Sequence, residues 1–434
     1  MSNRRSRAGS SAAQAGLVLA FVLGAGACAS SSPENGSGGA VGTSGGSSGT
    51  ASGGASGTGG IPGSGGNTSG LILGSGGPFP FPQNKKPGMC NLTTVANASN
   101  AAQAAYNSFK QAFVTSAGAG TGLRVRRPQN QDDTVSEGIG YGMIAAAYMA
   151  DRPTFDGLWT YAQSHFDANG LMNWRISSSG SIISAGSATD GDVDIVWGLI
   201  MGSNQWSSAA YLQAAKTMIN NISSWCIGPD GMLKPGDGWG GTPLTNPSYF
   251  APSYFRVFAA VTGDNNWKGV ILNRNYEILA QVAGDKGLVP DWTNSSGVVN
   301  TGNLMNGMFD NSSYGYDAAR TPWRIALDYC FHGEPRAKAY LDKIGAFFSG
   351  VGASNIGDKY SLSGQQTSGN KNMAFIGPAG VAGMANSAHQ ALVDGAFTYG
   401  NTNNGGDGAY FPQTLRVLSM LMMSGNFVDY TKPQ

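Results

Sequence analysis

Histidine is scarce in this chain. His165, His332 and His389 are its 3 histidines, and none lies in an HExxH pattern, so the sequence offers little to a catalytic metal. Cysteine is almost as rare, with 4 in 434 residues and neither a CxxC pair nor a His–Cys ligand spacing. Charge is sparse as well: 26 Lys and Arg nearly cancel 25 Asp and Glu, for a net of +1. No basic block forms, which argues against nucleic acid as a partner. Runs of alternating apolar and polar residues are also few, so sheet is not the main architecture. No metal and no other cofactor is expected.

What is present is divided sharply near residue 80. Before it, Gly and Ser dominate; after it, aliphatic and aromatic residues recur over a length that suits one large domain. Arg4, Arg5 and Arg7 followed by "GLVLAFVLGAGA" read as an export signal, too short for a membrane span. The "AGAC" ending at Cys28 is similar to the cleavage and lipidation site of bacterial lipoproteins, with Ala25 where Leu is usual. Residues 1–28 are therefore read as a signal, with a lipid anchor at Cys28 or simple secretion as the two outcomes. Either places the protein outside a bacterial cell. Residues 29–85 read as a flexible tether, because "SGGSSGTASGGASGTGG" cannot bury enough apolar surface to offset its ordering entropy. Residues 86–434 form the working domain, expected as a monomer. Within it Cys90, Cys226 and Cys330 leave two arrangements open, one disulfide with a spare thiol or three buried thiols.

The periodic segments of that domain are helical. In "NASNAAQAAYNSFKQAF" residues Ala101, Ala105, Phe109 and Phe113 form one stripe, and "VDIVWGLIMGSNQW", "VILNRNYEILAQVAG" and "AYFPQTLRVLSMLMMSG" behave similarly. Gly-, Pro- and Asn-rich loops separate them. The class is mainly α, with paired helices and the chemistry at one end.

Three acids stand out. Glu137 opens a helix in "VSEGIGYGM", and Tyr141 falls four residues later on its face. Gly138, Gly140 and Gly142 each cost about 1 kcal/mol relative to Ala in a helix, which calls for close approach of a ligand or a neighbouring helix. Asp190 starts "TDGDVDIVWGLI" with Asp192 and Asp194; capping accounts for one of these acids and calcium for none, since no EF-hand Gly and Glu follow. Asp317 in "YDAARTPWRI" precedes Arg320 by three residues, a spacing that keeps an acid ionised. A helix-start carboxylate at Glu137 and a surface ion pair at Asp317 are the plain structural readings of the same residues.

Taken in order, "VSEGIGYGM", "SHFDANGLMNWRI", "SATDGDVDIVWGLI", "LKPGDGWGGTPLTNPSYFAPSYFRVFAAVTGD", "GLVPDW", "YDAARTPWRI" and "SGNF" resemble glycoside hydrolase family 8. The resemblance implies an (α/α)6 barrel of six helical hairpins with a cleft at the loop end. It implies inverting hydrolysis of a β-1,4-linked polysaccharide, with Glu137 as general acid, Asp317 as general base beside Tyr316 and Arg320, and Asp190 on the distorted sugar. It assigns Trp174, Trp239 and Tyr249 to sugar rings, and Tyr410 too, although "GDGAYFPQ" departs from the family's more Tyr-rich version. The loops look most like those of endoglucanases acting on cellulose or related β-glucans. An endo-β-1,4-xylanase, or a non-catalytic polysaccharide-binding lipoprotein, are the alternatives; the retained acids count against the second.

Overall fold

The computed structural model describes residues 70–433 apart from 241, 302, 303, 403–405 and 407. The export signal, Cys28 and the tether up to residue 69 lie outside the described residues.

Among the described residues, twelve helices of eleven residues or more alternate between two environments. Six are amphipathic and keep a polar face: α1 (Ala98–Phe113), α3 (Arg152–Ser164), α5 (Ala209–Trp225), α7 (Leu272–Val282), α9 (Pro335–Val351) and α11 (Gln390–Thr402). The other six are buried over most or all of their length: α2 (Ser136–Tyr148), α4 (Thr189–Gln205), α6 (Pro252–Thr262), α8 (Thr321–His332), α10 (Met373–Gly383) and α12 (Tyr410–Met423). A helix apolar or small on all sides has no stable place at a surface, so these form an inner ring. Around it α2 packs on α4, α6 on α8, α8 on α10, α10 on α12, and α12 back on α2. Trp197 of α4 stacks on Tyr254 of α6 at 4.1 Å and closes the remaining joint. The result is an (α/α)6 barrel.

The glycines of α2 serve this packing rather than a ligand. A Cβ on Gly140 would lie 2.6 Å from Asp194 Cβ and 3.0 Å from the Gly191 carbonyl, both on α4. One on Gly142 would meet Leu158 at 2.8 Å, and one on Gly138 the Tyr410 hydroxyl at 2.8 Å. The propensity lost at these positions is exchanged for close approach of α4, α3 and α12.

Ten short strands are inserted in the connections. β3 (Thr134–Val135) pairs antiparallel with β4 (Asn173–Ile176), and β4 with β5 (Ile182–Ser187). β6 (Leu244–Thr245) pairs with β7 (Thr293–Asn294), and β8 (Ser313–Tyr314) with β9 (Lys359–Ser361), which continues to β10 (Gln366–Ser368). β1 (Val114–Thr115) and β2 (Arg124–Val125) form a separate pair. β3 runs directly into α2, and β8 stops three residues short of Asp317.

One sequence expectation needs amendment, and one choice left open is decided. Residues 70–85 do not behave as tether: Ile72 N donates to Thr431 O at 2.7 Å, Gly74 N to Asn204 Oδ1 at 2.6 Å, and Phe79 stacks on Tyr430 at 4.2 Å. The apolar Ile72, Phe79 and Phe81 in this stretch find partners on the barrel. The cysteines resolve into a Cys90–Cys330 disulfide, joining the segment before α1 to α8, and a buried free Cys226.

Gly140→Ala is expected to cost about 1–3 kcal/mol by overpacking the α2–α4 contact, seen as a lower Tm by calorimetry. Gly269→Ala, where nothing lies within 4 Å of the new Cβ, is expected to stay within about 0.5 kcal/mol of the parent. Equal effects at the two positions would contradict the packing role.

Candidate active site

Three inner helices start at the same end of the barrel and present charged groups there. Glu137 is the second residue of α2 and Asp190 the second of α4, while Arg320 closes the 3-10 turn Ala318–Arg320 that leads into α8. Arg320 is 1% exposed. Its Nη1 donates to Glu137 Oε2 at 2.7 Å and also to Asp190 Oδ2, and its Nη2 donates to Asp317 Oδ1 at 2.8 Å. The expectation that Arg320 serves Asp317 alone is too narrow, because one guanidinium touches all three acids.

The two outer acids differ in their surroundings. Glu137 is 17% exposed at the side chain, and Tyr410 donates its hydroxyl proton to Oε1 at 3.0 Å. Burial and then the charge of Asp190 push its carboxyl up to about 7, against the pull of Arg320 and Tyr410. Asp317 has each oxygen fixed by a different donor, Arg320 on Oδ1 and the Trp292 indole on Oδ2 at 3.0 Å. Surrounding protein pushes this carboxyl above its ordinary value, while Arg320 and Trp292 favour the ion. The side chain remains 37% exposed, so solvent tempers that push and a water can reach it.

A second layer lies one helical turn below. Tyr141, Asp194 and Arg324 follow Glu137, Asp190 and Arg320 by four residues each on α2, α4 and α8, and so repeat their positions on the same helix faces. Arg324 grips Asp194 with two hydrogen bonds of 2.8 and 2.7 Å and donates to the Tyr141 hydroxyl at 3.4 Å. Both members of this ion pair are fully buried. Asp192, on the other face of α4, accepts the Met172 N–H at 3.1 Å. Asp192 and Asp194 therefore hold the fold.

The aromatic residues divide into two groups. Tyr316 is 43% exposed, with its hydroxyl donating to Asp358 at 2.8 Å and accepting from Asn372 at 3.1 Å, and its ring edge-on to Phe375 at 5.0 Å. Trp174 on β4 and Trp239 in the turn Asp237–Trp239 are partly exposed, and Trp239 meets Phe309 at 5.7 Å. Each of these three rings keeps part of its surface exposed. Tyr249 and Tyr410, read from the sequence as sugar-binding rings, are only 7% and 1% exposed. Tyr249 lies under the Arg320 guanidinium at 5.5 Å and edge-on to Trp292 at 5.8 Å, and Tyr410 spends its hydroxyl on Glu137. Neither has a ring face to offer a sugar. Sequence reasoning also passed over Trp292, Asp291 and Asp358. "GLVPDW" contained the first two, but its spacing to Asp317 gives no sign that the chain folds back on it.

A partly buried carboxyl raised toward neutrality, a second carboxyl fixed by two donors and reachable by water, and partly exposed aromatic rings are groups suited to cleaving a glycosidic bond. The comparisons agree. The family model of glycosyl hydrolases family 8 matches residues 79–425. The chain belongs to this family. It is a glycoside hydrolase whose substrate class is polysaccharide. It is 37% identical to Endoglucanase 2 of Ruminiclostridium josui over 361 residues, covering 81% of this chain and 77% of that protein. It is 39% identical to Endoglucanase A of Acetivibrio thermocellus, covering 75% and 69%. Among solved structures, a β-1,3-1,4-glucanase from Paenibacillus sp. X4 superposes with a TM-score of 0.74 at 32% identity, covering 80% of this chain and 98% of that one.

Tyr410→Phe removes a donor that favours ionised Glu137, so the carboxyl is expected to titrate above about 7. Difference infrared titration of the carboxyl band checks this; an unchanged or lower midpoint would contradict the geometry.

Proposed function

We propose that this enzyme hydrolyses internal β-1,4-glucosidic bonds of cellulose or related β-glucans with inversion at the anomeric carbon. Glu137 is the general acid and Asp317 the general base. The observation that carries the reading is the shared contact of Glu137, Asp190 and Asp317 with one buried Arg320. Around it two carboxyl groups acquire opposite tasks through their environments.

Protonated Glu137 delivers its proton to the glycosidic oxygen as the bond to the anomeric carbon breaks. Asp317, oriented by Arg320 and Trp292, takes a proton from the water that attacks the opposite face of the sugar. An inverting pair needs about 6.5–9.5 Å between its carboxyl groups to admit that water. Asp190, bonded to the same Arg320 nitrogen as Glu137, takes a hydroxyl of the distorted ring. Trp174, Trp239 and Tyr316 present flat faces to the CH surfaces of neighbouring sugars. The endoglucanase names of two relatives and the glucanase name of the structural neighbour support glucan as substrate. The arginines, apolar run and "AGAC" box support export, with a lipid on Cys28 holding the enzyme at the cell surface. Mass spectrometry of the mature N-terminus from a bacterial host is expected to show diacylglycerol on Cys28; an unmodified N-terminus beyond it would indicate secretion.

Reducing-sugar release is expected from carboxymethyl cellulose and barley glucan, and weakly or not at all from xylan and chitosan. Glu137→Gln and Asp317→Asn should each lower kcat by about 10³-fold or more, within the usual range for loss of a general acid or base. Proton NMR should show the α anomer first. A xylan preference would move the assignment to the xylanase alternative, and an initial β anomer would exclude inversion.

A further inference from the structure

The loop that carries Asp317 is anchored from behind by a carboxyl group outside the reacting set. Asp291 Oδ1 accepts two backbone N–H groups, from Gly315 at 3.0 Å and from Ala318 at 2.8 Å, on either side of Asp317. Its own N–H donates to Ser313 O at 3.0 Å, and the next residue, Trp292, donates its backbone N–H to Asp310 O at 2.9 Å and its indole to Asp317 Oδ2. The fit is tight, since a Cβ on Gly315 would lie 2.3 Å from Asp291 Oδ2.

We propose that Asp291 is the positioning residue of the general base, clamping residues 315–318 so that Arg320 and Trp292 can each hold one oxygen of Asp317. The proposal rests on the reading of Asp317 as the base. Two carboxylates this close would repel, and the site avoids that. Burial, then the charge of Asp317 and that of Asp310, push the Asp291 carboxyl up to about 8, although its two backbone donors oppose the shift. Asp310 is partly offset by Lys359 at 3.4 Å, and buried Tyr314 stays neutral. The raised carboxyl favours the neutral form of Asp291. In that form it accepts two N–H groups and adds no charge beside the base.

Three variants test this on carboxymethyl cellulose, with Asp317→Asn in parallel. Asp291→Ala frees both N–H groups and should lower kcat by about 10²-fold, the usual scale for a small misplacement of a catalytic group, with KM little changed. Asp291→Asn keeps an acceptor oxygen and should recover most of that loss. Because Asn replaces a group that is already neutral, the acid limb of kcat/KM should stay where the parent has it; a downward shift would show a charged Asp291 and overturn the neutral clamp. Gly315→Ala pushes against Asp291 Oδ2 and should lower kcat without altering KM, which keeps the test open if Asp291→Ala does not fold. Parent-like kcat in both Asp291→Ala and Gly315→Ala, or in Gly315→Ala alone if Asp291→Ala does not fold, with Asp317→Asn inactive, would overturn the positioning role and leave the base assignment standing. Parent-like activity of Asp317→Asn would overturn the base assignment itself.

Discussion

The site depends on the burial of one cation. Removing a guanidinium from water costs several kcal/mol unless its donors are matched, and Arg320 meets that cost with three carboxyl groups. Three acids around a single positive charge cannot all be ionised cheaply in a poorly hydrated pocket. A proton is the simplest remedy, and it settles where hydration is poor and the surroundings are most negative. Glu137, buried against Asp190 with its carboxyl raised to about 7, meets that condition. The same arginine thus touches two carboxyl groups whose other partners differ, Tyr410 at Glu137 and Trp292 at Asp317.

The layer below shows what the site would be without this imbalance. Asp194 and Arg324 form a one-to-one pair, doubly hydrogen-bonded and dry, and the position on α2 that Glu137 holds above is filled there by Tyr141. Two stacked sets of side chains, one turn apart on the same three helices, thus differ in net charge. The balanced set locks α2, α4 and α8 into register. The unbalanced set, at the open end, inherits that register and keeps a charge deficit that a proton must fill. The α2 glycines belong to this scheme, because Gly140 lets α4 approach closely enough for both layers to form.

Much of this was legible in the sequence, and the remainder was not for definite reasons. The helix period follows from spacing and composition, whereas Glu137, Asp190 and Asp317 are set apart as a group by the resemblance to family 8; the four-residue step from each upper-layer residue to its lower partner is also there to be read. What spacing cannot give is which helix faces which. Arg320 was matched to its nearest acid in sequence, three residues away, whereas its contacts to Glu137 and Asp190 span 183 and 130 residues. The same limit explains Tyr249 and Tyr410. Both are assigned to sugar rings by matching family positions, and only the fold shows that Arg320 and Glu137 already engage them. The boundary at residue 85 failed because Phe79 and Ile72 are too few to register against a Gly-rich background, yet each finds a partner on the barrel.

The aromatic residues then separate chemistry from selection. Tyr249, Trp292 and Tyr410 are spent on the floor, where they orient Arg320, Asp317 and Glu137. Trp174, Trp239 and Tyr316 stand on short strands and turns above it, where loop geometry and not helix packing sets their places. A shift of an ångström in the floor would disturb proton transfer directly. The same shift in a wall alters only which sugar ring lies flat against it. Pairs such as β6–β7 and β8–β9 stiffen the connections where they leave the floor, and under the proposed function the rings beyond them would bear on the choice of polysaccharide. A floor held rigid by the inner helices can therefore serve different chains, according to how its walls are shaped.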